Sequence, residues 1–168
     1  MKVSVNWLKE LVDIDLSTED LAHTLTMAGL EVEEITPVAA PFDRIVIAEV
    51  KSTAPHPNAD KLRICEVDAG TGTLLQIVCG APNVEPAMRV PCALVGAKLQ
   101  GQEIKQAKLR GVESNGMLCS ARELGLSEDH GGLLALATDA PIGTSIRKYL
   151  DLDDVYLTLK MTPNRGDC

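Results

Sequence analysis

Basic side chains recur at close spacing in the middle of the chain. Residues 98–110 hold four of them together with a single acid, Glu103, and the four are Lys98, Lys105, Lys108 and Arg110. Ammonium and guanidinium groups at this density could follow a chain of phosphates. The same density also occurs where lysines keep a solvated strand edge from aggregating, so composition alone leaves both interpretations open.

A glycine-bounded loop follows the last of these basic residues. Gly111 and Gly116 permit tight turns of the backbone, and Ser114 and Asn115 lie between them. Their side chains carry donors that could contact phosphate or sugar without reading bases. A loop of this kind is also ordinary at the end of a hairpin, so it is a weak indicator by itself.

His56 begins a segment of turn-forming residues that ends at Lys61. Pro57 presets the backbone, and Asn58 and Asp60 can hydrogen-bond to nearby amides. No Cys or Glu lies at metal-ligand spacing from His56, so we interpret the segment as a structural turn rather than a metal or catalytic site.

Residues for catalysis do not stand out elsewhere in the chain. The glycines at 70 and 72 lack the third glycine of a dinucleotide loop, and no glycine loop is followed by a Lys-Ser or Lys-Thr pair. The adjacent acids Asp153 and Asp154 would point to opposite faces of a strand. Cys119 and Ser120 have no nearby histidine before His130. We therefore expect no catalytic residues, no metal and no cofactor in this chain.

Composition narrows the choice of partner. The 168 residues include one Trp, two Tyr and one Phe, too few for the stacked rings on which single-stranded nucleic-acid binders depend. The formal net charge is −8, but residues 40–150 carry twelve basic and twelve acidic groups, so the acidity lies at the two ends. A neutral middle with clustered Lys and Arg is compatible with nucleic acid.

The cysteines and the N-terminus indicate the compartment. Five cysteines lack the paired spacing of a zinc site or a disulfide framework, and several lie in apolar stretches such as 76–79. A free thiol there behaves as a small buried hydrophobe, which indicates a reducing environment. The N-terminus has acids where a signal peptide needs an apolar run. We expect a cytoplasmic protein with no membrane contact.

Two segments at the chain ends are expected to form one small domain. Ser17, with Glu19 and Asp20 in the first turn after it, predicts a helix start, and Gly29 predicts the end of that helix. Residues 155–161 alternate as in a strand, and the turn-rich heptapeptide that follows indicates a fragment end. We interpret residues 1–39 and 151–168 as a discontinuous α/β domain, incomplete at its C-terminus, with residues 40–150 inserted into it.

Short strands dominate residues 40–150. The strand candidates are 45–51, 62–67, 74–79, 90–95, 104–109 and 133–136, with short helices at 121–126 and 142–150. Residues 68–72 have the composition of a hairpin turn between the second and third candidates. Five or six short strands with little helix predict a small closed, five-stranded barrel of the OB type, and an α+β, mainly β fold for the whole chain.

Taken together, the barrel, the His56 turn and the loop after Lys108 resemble the tRNA-binding OB module that several aminoacyl-tRNA synthetases share. Three stretches carry the resemblance: HPNADKLRICEVDAG at 56–70, IVCGAPNV at 77–84 and KLRGVESNGMLCSARELG at 108–125. The flanks, WLKELVDIDLSTEDLAHTLTMAGLEVEEI at 7–35 and MTPNRGDC at 161–168, resemble the N-terminal part of the β subunits of bacterial phenylalanyl-tRNA synthetases. That second resemblance covers the whole chain.

The resemblance implies a basic groove that binds tRNA through its phosphates. Carried onto matching positions, the phosphate contacts would be Lys61, Arg63, Lys108 and Arg110, with Ser114 and Asn115 donating hydrogen bonds from the loop. Lys98 and Lys105 are added to this set from their charge alone. We expect the module to contact tRNA, by shape and backbone, and we expect no DNA partner.

The resemblance also implies a much longer polypeptide and a catalytic partner. The β subunit would pair with an α subunit in a heterotetramer of two α and two β chains, and the holoenzyme would attach phenylalanine to its tRNA with ATP and magnesium. A second hypothesis stays open, because a neutral barrel between acidic ends would also suit a scaffold or protein-contact module within the synthetase.

Overall fold

The computed structural model describes residues 1–128 and 131–166, which form two compact units. Unit 1 joins Met1–Ala39 to the chain from Asp151 onward, and unit 2 is Ala40–Leu150. Among the described residues, no helix is long and apolar enough to cross a bilayer.

Strands outnumber helices in both units. In chain order the elements are β1 (Lys2–Ser4), α1 (Val5–Leu11), α2 (Thr18–Met27), β2 (Glu31–Pro37), β3 (Ile45–His56), β4 (Ala59–Asp68), β5 (Leu74–Cys79), β6 (Arg89–Ala93), β7 (Lys98–Leu99), β8 (Gln102–Glu103), β9 (Ala107–Leu109), β10 (Val112–Ser114), β11 (Met117–Leu118), α3 (Ile146–Tyr149), β12 (Val155–Lys160) and a 3₁₀ turn at Pro163–Arg165. The mainly β composition agrees with the sequence-based expectation.

Unit 1 is a three-stranded antiparallel sheet with two helices. Its strand order is β1-β12-β2, so the strand from the end of the chain lies between two strands from its beginning. Val3 pairs with Leu157 in the register of β1 and β12, and both side chains are buried with Leu21 of α2. Burial of this apolar face is what unites segments far apart in sequence.

The ends of α2 follow from local sequence. The Ser17 hydroxyl accepts a hydrogen bond from Asp20 N–H at 3.1 Å, which confirms the predicted N-cap. At the other end Gly29 has φ 94°, and Leu30 N–H donates to Leu25 O at 2.9 Å. This is the six-to-one bond of a Schellman ending, which a glycine permits because it has no Cβ.

Asp154 ties the two segments of unit 1 together through polar contacts. Its carboxylate accepts hydrogen bonds from the Ser4 hydroxyl and from the backbone N–H groups of Asn6 and Val155. Burial alone would raise the pKa of Asp154, but these hydrogen bonds favour the charged form and hold the pKa below its usual value.

Unit 2 is built on a five-stranded antiparallel sheet of order β11-β6-β3-β4-β5. Alternate residues of the long strands point into one apolar core, as the period of a strand requires. The core includes Val50, Cys65, Val67, Ile77, Val90 and Cys92. The predicted hairpin turn at 68–72 is confirmed, because β4 and β5 pair on either side of it.

The expectation of a closed barrel is wrong. The end strands of the sheet, β5 and β11, are not joined by a ladder within the described residues. Three hydrogen bonds among the described residues bridge this seam instead. Asn115 N–H donates to Gln76 O at 2.8 Å, the Gln76 side-chain amide donates to Glu113 O at 2.8 Å, and Val78 N–H donates to the Ser114 hydroxyl at 3.1 Å. At Gly116, with φ 146°, the chain bends and goes on to pair with β6 as β11.

Other strands and helices predicted from the sequence differ in length from those in the structure, or are absent from the described residues. The stretch 133–136 is not a strand, and it makes isolated hydrogen bonds such as Leu136 N–H to Arg89 O at 2.8 Å. Residues 121–126 form turns, and the helix expected at 142–150 is limited to α3. The strand expected at 104–109 is limited to β9.

Candidate nucleic-acid interface

The turn between β3 and β4 contains a buried histidine. His56 is 5% exposed, and its Nδ1 accepts a hydrogen bond from Asn58 N–H at 3.0 Å. Nε2 lies 3.1 Å from Leu109 O, and because a carbonyl can only accept, Nε2 carries the proton. His56 is therefore the neutral Nε2–H tautomer with both ring nitrogens in use, as expected of a structural turn.

The hairpin of β9 and β10 carries two of the candidate cations. Its two-residue turn is Arg110 and Gly111, with φ values of 48° and 94°. Positive φ at both positions is typical of a type I′ turn, whose twist matches that of the flanking strands. Lys108 lies on β9 opposite Glu113 of β10, and Lys108 and Arg110 are both exposed.

The two hairpin turns meet. The His56 ring donates to Leu109 O, and the Asn58 side-chain amide donates to Arg110 O at 3.1 Å. The tip of the β9–β10 hairpin is thus held against the turn from which β4 departs.

β4 carries two further cations directly after this turn. Lys61 and Arg63 are exposed, and strand alternation places them on the same face as the buried Cys65 and Val67. The structure therefore links the elements that carry four basic residues, which we call the cationic junction: Lys61, Arg63, Lys108 and Arg110.

The charges of the cationic junction are not neutralised by ion pairs within the part of the chain that the structure describes. Asp60 precedes Lys61 and Glu113 lies opposite Lys108, yet neither acid forms an ion pair with that lysine, whereas Glu49 pairs with Lys51 and Arg89. Exposed cations without intramolecular partners are free to attract a polyanion.

Ser114 differs from Asn115 in exposure and in hydrogen bonding. It is 3% exposed, and its hydroxyl accepts from Val78 N–H and donates to Gly116 O at 3.0 Å. The bond from Val78 N–H bridges the open seam of the sheet, and the two bonds together occupy the hydroxyl that the sequence assigned to RNA contact. Asn115 is half-buried, and its backbone N–H donates to Gln76 O.

Lys98 lies away from the cationic junction. Its backbone N–H donates to the Asp43 carboxylate at 2.8 Å, just before β3 begins, whereas His56 ends the same strand. From Ile45 to His56, β3 has eleven steps, which correspond to roughly 36 Å of chain at about 3.3 Å per step. Lys98 and Leu109 are therefore held at opposite ends of β3. Lys105 is exposed on the connection between β8 and β9.

The sequence does not identify Asn58 as a residue that contacts the β9–β10 hairpin. The dipeptide Arg110-Gly111 between the apolar Leu109 and Val112 is a recognisable hairpin signal. The partner of that hairpin is about fifty residues away in sequence, and no local pattern identifies it.

Metal-binding side chains do not cluster in the part of the chain that the structure describes. Within residues 1–128 and 131–166, no three side chains of His, Cys, Asp or Glu converge as a group that could hold a metal ion. His130, considered above as a partner for Cys119, lies outside the described residues.

Comparisons with known proteins identify relatives of this chain. A family model described as "Putative tRNA binding domain" matches residues 45–145. Phenylalanine–tRNA ligase β subunits are similar over the whole chain: that of Cupriavidus pinatubonensis is 63% identical over 176 residues, which are 22% of its own length. That of Aromatoleum aromaticum is 62% identical over 168 residues, 21% of its length.

This chain therefore spans about a fifth of the length of these curated relatives. Among solved structures, the MetRS related protein from Pyrococcus horikoshii is similar at a TM-score of 0.45 and 20% identity, covering 79% of this chain and 99% of that one. The family match at 45–145 takes in more than half of the chain and all four residues of the cationic junction. The chain belongs to the tRNA-binding domain family.

Proposed function

We propose that this chain is the tRNA-binding part of the β subunit of a phenylalanine–tRNA ligase, and that it binds tRNA through the cationic junction. The observation that carries the proposal is the contact between two hairpins that each carry two exposed, unneutralised cations. The family match and the full-length similarity to ligase β subunits support it.

The binding is expected to follow the phosphate backbone rather than the bases. Lys and Arg displace counterions from phosphates, which gives affinity without sequence information. Stacking of bases on aromatic rings is expected to add little. Phe42 is buried, and Trp7, Tyr149 and Tyr156 lie outside the matched region 45–145. Asn115 is retained as a candidate donor to sugar or phosphate, and Lys98 and Lys105 as peripheral cations.

The proposal extends to the holoenzyme to which this chain would belong. The β subunit would pair with an α subunit, and two copies of each would form the holoenzyme in the cytoplasm. ATP and magnesium would serve the parent enzyme in attaching phenylalanine to tRNA. The residues of this chain are assigned to RNA binding alone.

The test is a fluorescence anisotropy titration of the 168-residue chain with labelled phenylalanine-specific tRNA and with a noncognate tRNA. Four phosphate contacts predict that the logarithm of the affinity falls with the logarithm of salt concentration at a slope of about −3 to −4. Replacing Lys108 and Arg110 by Ala should reduce that slope by about one to two units.

The matched control removes the same charge elsewhere in unit 2. Lys148→Ala combined with Arg122→Ala changes one exposed lysine and one exposed arginine outside the proposed interface and should leave the slope within about half a unit of the original. Equal slopes for the two double variants would remove the junction from the interface. No binding to either tRNA would favour a scaffold role instead.

A further inference from the structure

Two side chains hold the tip of the β9–β10 hairpin from outside it. His56 donates through Nε2 to Leu109 O, and Asn58 donates through Nδ2 to Arg110 O, each at 3.1 Å. The hairpin has little apolar cover of its own, because residues 105–111 are all exposed. Its tip therefore depends on these polar contacts for a fixed position.

The contact from Asn58 falls on a residue in an unusual conformation. Arg110 has φ 48°, in the left-handed region that residues other than glycine adopt infrequently. A hydrogen bond to its carbonyl favours this turn over its alternatives. Asn58 also fixes the ring of His56 through its own backbone N–H, so the two residues act as one unit.

We propose that His56 and Asn58 are positioning residues for RNA binding. They hold Lys108 and Arg110 beside the turn that leads to Lys61 and Arg63, so that phosphates meet one preformed surface. This inference rests on the proposed function. Preorganisation increases affinity because the free energy of ordering a loop and its side chains is not lost on binding.

The main test is tRNA affinity of the 168-residue chain with Asn58→Ala or His56→Ala, measured by anisotropy at several salt concentrations. Each variant should bind about three- to tenfold more weakly, the range expected when one or two interface side chains lose their fixed position. Asn58 is exposed, so its variant should fold even if His56→Ala does not.

Asn83→Ala is the matched control. The Asn83 amide also bridges two segments of unit 2, because it donates to Leu133 O at 3.1 Å and accepts from Leu133 N–H at 2.8 Å. Its loss should lower the stability of the chain and leave tRNA affinity unchanged. A fall in affinity equal to that of Asn58→Ala would show that general destabilisation is responsible.

A double-mutant comparison separates positioning from folding. In a chain that already carries Lys108→Ala and Arg110→Ala, Asn58→Ala should cause no further loss of affinity, because the hairpin no longer has cations to position. His56→Gln retains an N–H donor that can reach Leu109 O, and it should recover part of the affinity that His56→Ala loses.

Amide hydrogen exchange at residues 107–114, measured without RNA, completes the test. Faster exchange with lower tRNA affinity in Asn58→Ala is the expected result. Normal affinity in Asn58→Ala would overturn the positioning role while the proposed function stands. Absence of tRNA binding by the unsubstituted chain would overturn the proposed function, and the positioning role with it.

Discussion

Four thiols of unit 2 are buried: Cys65, Cys79, Cys92 and Cys119. Burial disfavours the charged thiolate and raises the pKa of Cys65 to about 11 and that of Cys92 to about 12. The pKa values of Cys79 and Cys119 are raised for the same reason. Because the thiolate is the reactive form, these cysteines act as packing residues.

At the residue scale we predict that these four thiols resist alkylation in the folded chain. At pH 8 a thiol with a raised pKa is almost entirely protonated, and burial also blocks access. Mass spectrometry after iodoacetamide treatment should show them unmodified in buffer and modified in concentrated urea. Rapid labelling of Cys92 in buffer would contradict the buried environment.

The hairpin between β4 and β5 approaches the chain before α3 backbone to backbone. Gly70 has φ 73°, and a Cβ added there would lie 2.8 Å from Gly143 Cα. Gly72 has φ 86° in the same turn, but nothing lies within 4 Å of its Cβ position. The two glycines thus share a backbone conformation and differ in their surroundings.

At the element scale we predict different costs for two alanine substitutions in this turn. Gly70→Ala combines left-handed strain with a clash against backbone and should lower the free energy of unfolding by about 2–4 kcal/mol. Gly72→Ala has the strain alone and should lower it by about 1 kcal/mol. Urea unfolding followed by far-UV circular dichroism measures both, and equal losses would contradict the close approach at Gly70.

Charge is divided unevenly over the whole molecule. Residues 1–39 carry two basic and eight acidic groups and residues 151–168 carry two and four, whereas residues 40–150 are balanced. Unit 1 therefore contributes the net negative charge, and unit 2 contributes the cationic junction. A field of this kind acts over about 10 Å at 0.1 M salt and farther at lower salt.

Across the whole molecule we predict that the net charge of −8 weakens tRNA binding at low salt. Replacing Glu10, Glu31 and Glu34 by Gln should raise tRNA affinity about two- to fivefold at low salt, because three repulsive charges are removed. The difference should vanish near 0.3 M salt in the same anisotropy titration. An increase that persists at high salt would point to a local contact instead.

Several features of the fold and of the site follow from local sequence, because the interactions that form them are between neighbouring residues. The Ser17 cap and the turn at 68–72 depend on neighbouring residues, and both are found where the sequence predicts them. The basic residues and the Arg110-Gly111 turn are also visible in sequence, as is the family, through motifs spread along the chain.

Tertiary structure brings some of these residues together and separates others. Asp43 holds Lys98 near the start of β3, whereas His56 holds Leu109 at the end of the same strand. Ser114 is withdrawn into the seam of a sheet that does not close. Interactions between neighbouring residues specify the local elements, and residue type specifies the charges that they carry. Contacts between residues fifty or more apart depend on how whole strands pack, and that packing alone placed His56 and Asn58 against the hairpin.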